Sequence, residues 1–130
     1  MAEAWLRHLA AEHYPDLGIS TSSAGLEAHG LNAGAVKAMS DQGIDISTHS
    51  SDVLNTEMID AADLVVTVCA HADANCPLVP PDKQKLHIPF TDPARASGSA
   101  EEIAWCFEQV CLQIRDQMKI LLEKLQTDNI

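Results

Sequence analysis

Residues 64–69 read Leu-Val-Val-Thr-Val-Cys, the strongest strand signal in the chain. A strand with one wet face alternates apolar and polar side chains, whereas a short, continuous apolar and β-branched run describes a strand covered on both faces. Covered strands of this kind belong to parallel sheets flanked by helices, so the run commits the chain to an α/β fold. The longest apolar stretch lies here and is far shorter than the roughly 20 residues needed to cross a bilayer, so no membrane partner is expected. At 130 residues the chain fits one domain, 1–130. A domain of this size buries about two thirds of its unfolded surface, enough for a core without disulfides.

The surrounding sequence alternates helical and extended patterns. Residues 1–13 place Ala4 or Trp5, Leu6, Leu9 and Ala10 on one side at helical spacing, and Pro15-Asp16 ends the pattern. Residues 19–23 read as a strand running into a turn at Ala24-Gly25, followed by loop. Asn32 is placed to cap a helix over 33–42 with Val36 and Met39 inward, and Gly43 supplies a left-handed stop. Residues 44–51 are polar and irregular, and 56–61 form a short helix leading into the 64–69 strand. Residues 70–84, with Pro77, Pro80 and Pro81, show no periodicity, and so long a structureless stretch in a compact domain is usually functional. A last short strand follows at 86–88 and a loop at 89–98. Ser99 with Glu102 makes a capping box for a helix whose stripe is Ile103, Phe107, Val110, Ile114, Met118, Leu121 and Leu125. At 1.5 Å per residue that helix spans about 40 Å.

Charge and cysteine usage narrow the function. Nineteen acidic against eight basic residues give a net charge of −11, which repels nucleic acid and anionic membrane as bulk partners. Cys69, Cys76, Cys106 and Cys111 all lie in the second half with no signal peptide ahead of them, a pattern suited to a reducing, cytoplasmic setting.

In open parallel sheets ligands bind beyond the carboxyl ends of the strands, and Cys69 ends the principal strand. Cys76 follows seven residues later. Closing a disulfide across that loop costs modest entropy but requires the loop to deform, which suits a redox switch. One sulfur would then need a cation or helix N-terminus to favour its thiolate, and His71 is the nearest candidate. Two other readings compete: free cysteines are often simply buried, and Cys69, His71, Cys76 and His87 could hold zinc, although they lack the close Cys-x2–4-Cys clamp. Cys106 and Cys111 lie on or beside the last helix's stripe and read as core. Asp92 precedes Pro93, which holds its predecessor extended; a carboxyl so held can donate a proton to a leaving oxygen, or Asp-Pro can simply open a turn. Arg95 could anchor an anion or pair with the acidic surface.

Taken together, Met1-Ala2-Glu3-Ala4-Trp5, Ser23-Ala24-Gly25, Gly43-Ile44-Asp45-Ile46-Ser47, Val65-Val66-Thr67-Val68-Cys69, Cys76-Pro77 and Asp92-Pro93-Ala94-Arg95 resemble the thioredoxin-coupled arsenate reductases, which share the low-molecular-weight tyrosine phosphatase fold. The resemblance runs in order through nearly the whole chain. It implies a three-thiol relay: a first cysteine in an oxyanion-binding loop attacks arsenate, a second displaces arsenite by forming a disulfide, and a third attacks that disulfide and presents a new one to thioredoxin. Cys69 matches the second thiol, Cys76 the third and Asp92 the general acid. Glu3, Ser23 and Asp52 match positions that bind a potassium ion in some members, with His49 nearby; no tightly bound cofactor is implied.

Family members begin with a strand and a Cys-x5-Arg loop ahead of the helix that opens at Met-Ala-Glu, and no Cys-x5-Arg occurs in residues 1–130. The expectation is therefore a parallel sheet lacking its first strand. Three functions follow: arsenate reduction with thioredoxin as reductant; an inactive, truncated form that serves as a thioredoxin-linked dithiol or binding module; or a phosphatase of the same fold.

Overall fold

The helices begin where the sequence offers capping side chains. In a computed structural model of the chain, which describes residues 1–24, 32–48, 53–68, 84–90, 93 and 96–127, helix α2 (Ala33–Asp41) starts at Asn32, whose side chain accepts from the Gly34 amide at 2.8 Å. Helix α3 (Thr56–Ala61) starts at Asn55, which accepts from the Met58 amide at 2.9 Å. Helix α4 (Ala100–Gln126) starts at Ser99, which accepts from the Glu102 amide at 3.1 Å. Each contact satisfies one of the amides that a helix N-terminus leaves without a partner. Helix α1 (Ala2–His13) ends before a 3₁₀ turn over Pro15–Leu17.

The close of α2 is a Schellman motif. Gly43 adopts φ 80°, its amide donates to Ser40 O at 2.9 Å, and the Ile44 amide reaches Met39 O at 2.9 Å. The left-handed conformation is open to glycine without a Cβ penalty, and the motif brings Ile44 down onto Met39, both buried.

The described residues fall into two compact units. The first contains α1, α2 and α4, with α1 and α2 each packed on α4. Its core is Ala4, Trp5, Leu9 and Ala10 of α1, Ala38 and Met39 of α2, and Phe107, Val110, Cys111, Ile114, Met118, Leu121 and Leu122 of α4. Five of the seven stripe positions expected on α4 are buried; Ile103 and Leu125, near its ends, are half-buried. Gly34 lies against Phe107, whose ring carbons would stand 2.6–2.8 Å from a Cβ at that position, so α2 approaches α4 there as closely as a backbone can. Ile44 and Ile46 are buried with Asp45 exposed between them, an alternation in place of the irregular segment expected at 44–51.

The second unit contains α3 and two parallel strands, β1 (Val65–Thr67) and β2 (Lys85–His87), paired in the register Val65↔Lys85, Val66↔Leu86, Thr67↔His87. The parallel sheet expected from the sequence is present, with each strand shorter than or offset from its predicted span. Thr67 is buried, whereas Val65 and Val66 are half-buried, less covered than a strand flanked on both faces. The described sheet is two strands wide, so these side chains meet fewer neighbours than they would in a wider one. Residues 19–23 carry no strand assignment; a strand is defined by its ladder, and no backbone hydrogen bond from 19–23 to another strand occurs among the described residues.

Candidate functional site

Parallel pairing sends β1 and β2 out of the sheet at the same end. Beyond the strands proper, the Ile88 amide donates to Thr67 O at 2.8 Å and the Phe90 amide to Val68 O at 3.1 Å. Val68 is the residue before Cys69, and Phe90 stands two residues before Asp92. The chain therefore leaves toward Cys69 and toward Asp92 from hydrogen-bonded neighbours, at the carboxyl ends where open α/β sheets place their ligands. Cys69, His71, Cys76, Asp92 and Arg95 themselves lie outside the described residues, as do His49 and Asp52. The Ala96 amide donates to Pro93 O at 3.1 Å.

One side-chain contact reinforces this end of the sheet. His87 Nδ1 lies 2.8 Å from Thr67 Oγ1 and 3.2 Å from Thr67 O. Nδ1 meets the Thr67 hydroxyl in either tautomer, donating to it or accepting from it. The sequence offered His87 only as a possible zinc ligand. Its partnership with Thr67 depends on strand register across 20 residues, which no local pattern displays.

In the first unit, Glu3 and Ser23, two of the three expected potassium ligands, meet. Ser23 Oγ donates to Glu3 Oε2 at 2.7 Å, Arg7 Nη2 donates to Glu3 Oε1 at 2.7 Å, and the same Nη2 reaches Thr21 O at 3.0 Å. Thr21 Oγ1 is buried without a hydrogen-bond partner among the described residues. Carboxylate, hydroxyl and carbonyl oxygens are suitable donors for a hard cation, and Arg7 already supplies one positive charge to the carboxylate. Sequence reading missed Arg7, although its position four residues after Glu3 was a legible signal for the pair.

Of the last-helix cysteines, Cys111 behaves as expected of core and Cys106 does not. Cys111 is 1% exposed; its Sγ accepts from Trp5 Nε1 at 3.4 Å and lies 3.4 Å from Met39 Sδ. Burial pushes the Cys111 thiol up, against the opposing pull of the Trp5 indole N–H. Cys106 is half-buried at an open cavity of about 470 Å³ that Trp105, Glu101 and Glu102 also line.

An α/β chain with a parallel strand pair agrees with the comparisons. The chain belongs to the low molecular weight phosphotyrosine protein phosphatase family, whose pattern it matches over residues 1–130. Within that family it is similar to proteins named arsenate reductase. It is 44% identical over 118 residues to the Bacillus subtilis (strain 168) arsenate reductase, a match covering 91% of this chain and 78% of that one. A solved structure of an arsenate reductase in the oxidized state matches with TM-score 0.74 and 26% identity, covering 95% of this chain and 86% of that chain. The crystal structure of YfkJ from Bacillus subtilis shares the fold, with TM-score 0.78 at 19% identity over 99% of this chain and 87% of that one.

Proposed function

We propose that this chain reduces arsenate to arsenite through a thiol–disulfide relay that thioredoxin re-reduces. The observation that carries the reading is the 44% identity, over 91% of the chain, to a relative named arsenate reductase. The parallel pairing of β1 and β2, which continues to Val68 and Phe90 at the carboxyl end of the sheet, supports it physically.

In this reading arsenate takes up two electrons and two protons and leaves as arsenite and water, while two thiols become one disulfide. A thiolate in an oxyanion loop bonds to arsenic, with Asp92 giving a proton to the departing oxygen. The Cys69 thiolate then attacks the first sulfur, and the arsenic–sulfur electron pair departs with arsenite. Cys76 attacks the resulting disulfide, releases the first thiol and leaves a Cys69–Cys76 disulfide for thioredoxin. Residues 1–130 contain no Cys-x5-Arg, so the first attack requires that a strand and loop of this kind be supplied ahead of Met1.

The test is arsenate-dependent oxidation of reduced thioredoxin, measured for residues 1–130 and for the same chain preceded by a family strand and Cys-x5-Arg loop. Turnover by the extended chain that disappears on Cys69→Ser and on Cys76→Ser is the expected result. Turnover surviving both substitutions would overturn the relay. The missing Cys-x5-Arg favours a second reading for residues 1–130 alone, a dithiol that exchanges with thioredoxin without touching arsenate; thioredoxin oxidation by the pre-oxidised 1–130 protein, with no arsenate present, is its signature. A phosphatase role predicts instead that aryl phosphate hydrolysis persists when both Cys69 and Cys76 are replaced.

Glu3 and Ser23, with Asp52, form the proposed potassium site. A bound cation would neutralise the carboxylates and hold the start of α1 to the segment carrying Ser23, with no part in the electron transfer itself.

A further inference from the structure

We propose that His87 is a positioning residue for the relay: by gripping both the hydroxyl and the carbonyl of Thr67 it fixes the end of β1, and so the point from which the chain sets out toward Cys69. The inference rests on the relay reading and adds a residue to which neither the family match nor the sequence assigns a role.

The ladder alone gives Thr67 O one donor, the Ile88 amide at 2.8 Å. His87 Nδ1 adds a contact to that oxygen at 3.2 Å and ties the buried Thr67 hydroxyl at 2.8 Å. One ring nitrogen thus restrains Thr67 in both backbone position and side-chain rotamer. The next pairing along, Phe90 N to Val68 O at 3.1 Å, is the last before Cys69, and it sits on Val68, which is exposed. Thiol–disulfide exchange demands near-linear approach of three sulfurs, and a displacement of about 1 Å in such a site can cost two orders of magnitude in rate. A grip two residues before the attacking sulfur acts directly on that geometry.

An asparagine side chain carries its amide at the distance from the backbone where Nδ1 sits, whereas glutamine reaches toward Nε2. His87→Asn should therefore keep the grip on Thr67, while His87→Gln and His87→Ala should lose it. The experiment measures the rate at which the reduced protein forms the Cys69–Cys76 disulfide with diamide, an azodicarboxamide that accepts the two electrons and two protons released; peptide mapping identifies the bond and thermal melts follow stability. We expect the Ala and Gln variants to form it about tenfold more slowly than the parent, and Asn within about twofold. Thr67→Val combined with His87→Ala should be no slower than the slower single variant, as coupled partners require. Parental rates in the Ala and Gln variants, or an Asn variant as slow as Ala, would overturn the proposal. Should His87→Ala fail to fold, the contrast between Asn and Gln decides the same question. Diamide oxidation needs no arsenate, so a variant series that behaves as expected, while the chain preceded by a family strand and Cys-x5-Arg loop shows no arsenate turnover, would refute the arsenate reading and uphold the role of His87. A parent that forms no Cys69–Cys76 disulfide would sink both.

Discussion

Cys111 shows what a cysteine does when the fold has no redox use for it. Its sulfur accepts the Trp5 indole N–H and lies against Met39, so both polar partners are satisfied inside an apolar helix junction. Because burial raises its pKa, the folded protein keeps the thiol proton above the pH at which an unfolded cysteine ionises, near 9. In that interval the folded state binds more protons than the unfolded one. The thiol's contribution to stability is thus complete below it and falls as pH rises through it toward the folded pKa. Melting temperature measured from about pH 8 to about pH 10.5 should decline more steeply for the parent than for Cys111→Ala, the difference isolating this thiol from the other three. Trp5→Phe, which deletes the indole donor and part of a buried ring system, should cost about 2–3 kcal/mol in denaturant unfolding.

At the scale of elements, Gly34 of α2 lies tightly against Phe107 of α4. Gly34→Ala should destabilise by about 1–3 kcal/mol through overpacking, even though alanine is the better helix former. Combining it with Phe107→Leu should return part of that loss, a coupling that a double-mutant cycle in urea would read directly. Helix starts and stops were legible in the sequence because they are local chemistry: Asn32, Ser99 with Glu102, and Gly43 each act within four residues of themselves. Strands were less so. Residues 64–69 and 86–88 predicted the parallel pair, but their limits moved because a strand ends where its partner ends, not where its own β-branched run does. Residues 19–23 have strand composition and no ladder among the described residues. The same limit hid the grip of His87 on Thr67, whereas Glu3 and Ser23 were expected together from resemblance and do meet.

For the whole molecule, a net charge of −11 is a standing self-repulsion that salt relieves. Melting temperature should rise as sodium chloride increases from about 10 mM to about 0.5 M. Repeating the series in potassium chloride separates screening from binding: equal curves would argue against the proposed potassium site, while an excess in potassium that Glu3→Gln abolishes would support it. The phase shared by β1 and β2 carries a further consequence. Thr67 faces His87 only in the observed alignment, and sliding either strand by one position would turn its side chains over and shift Val68 relative to Phe90. A single-residue insertion or deletion inside either short strand would therefore separate Val68 from Phe90 at a stroke. Lengthening the connection between them would leave their common point of departure where it is.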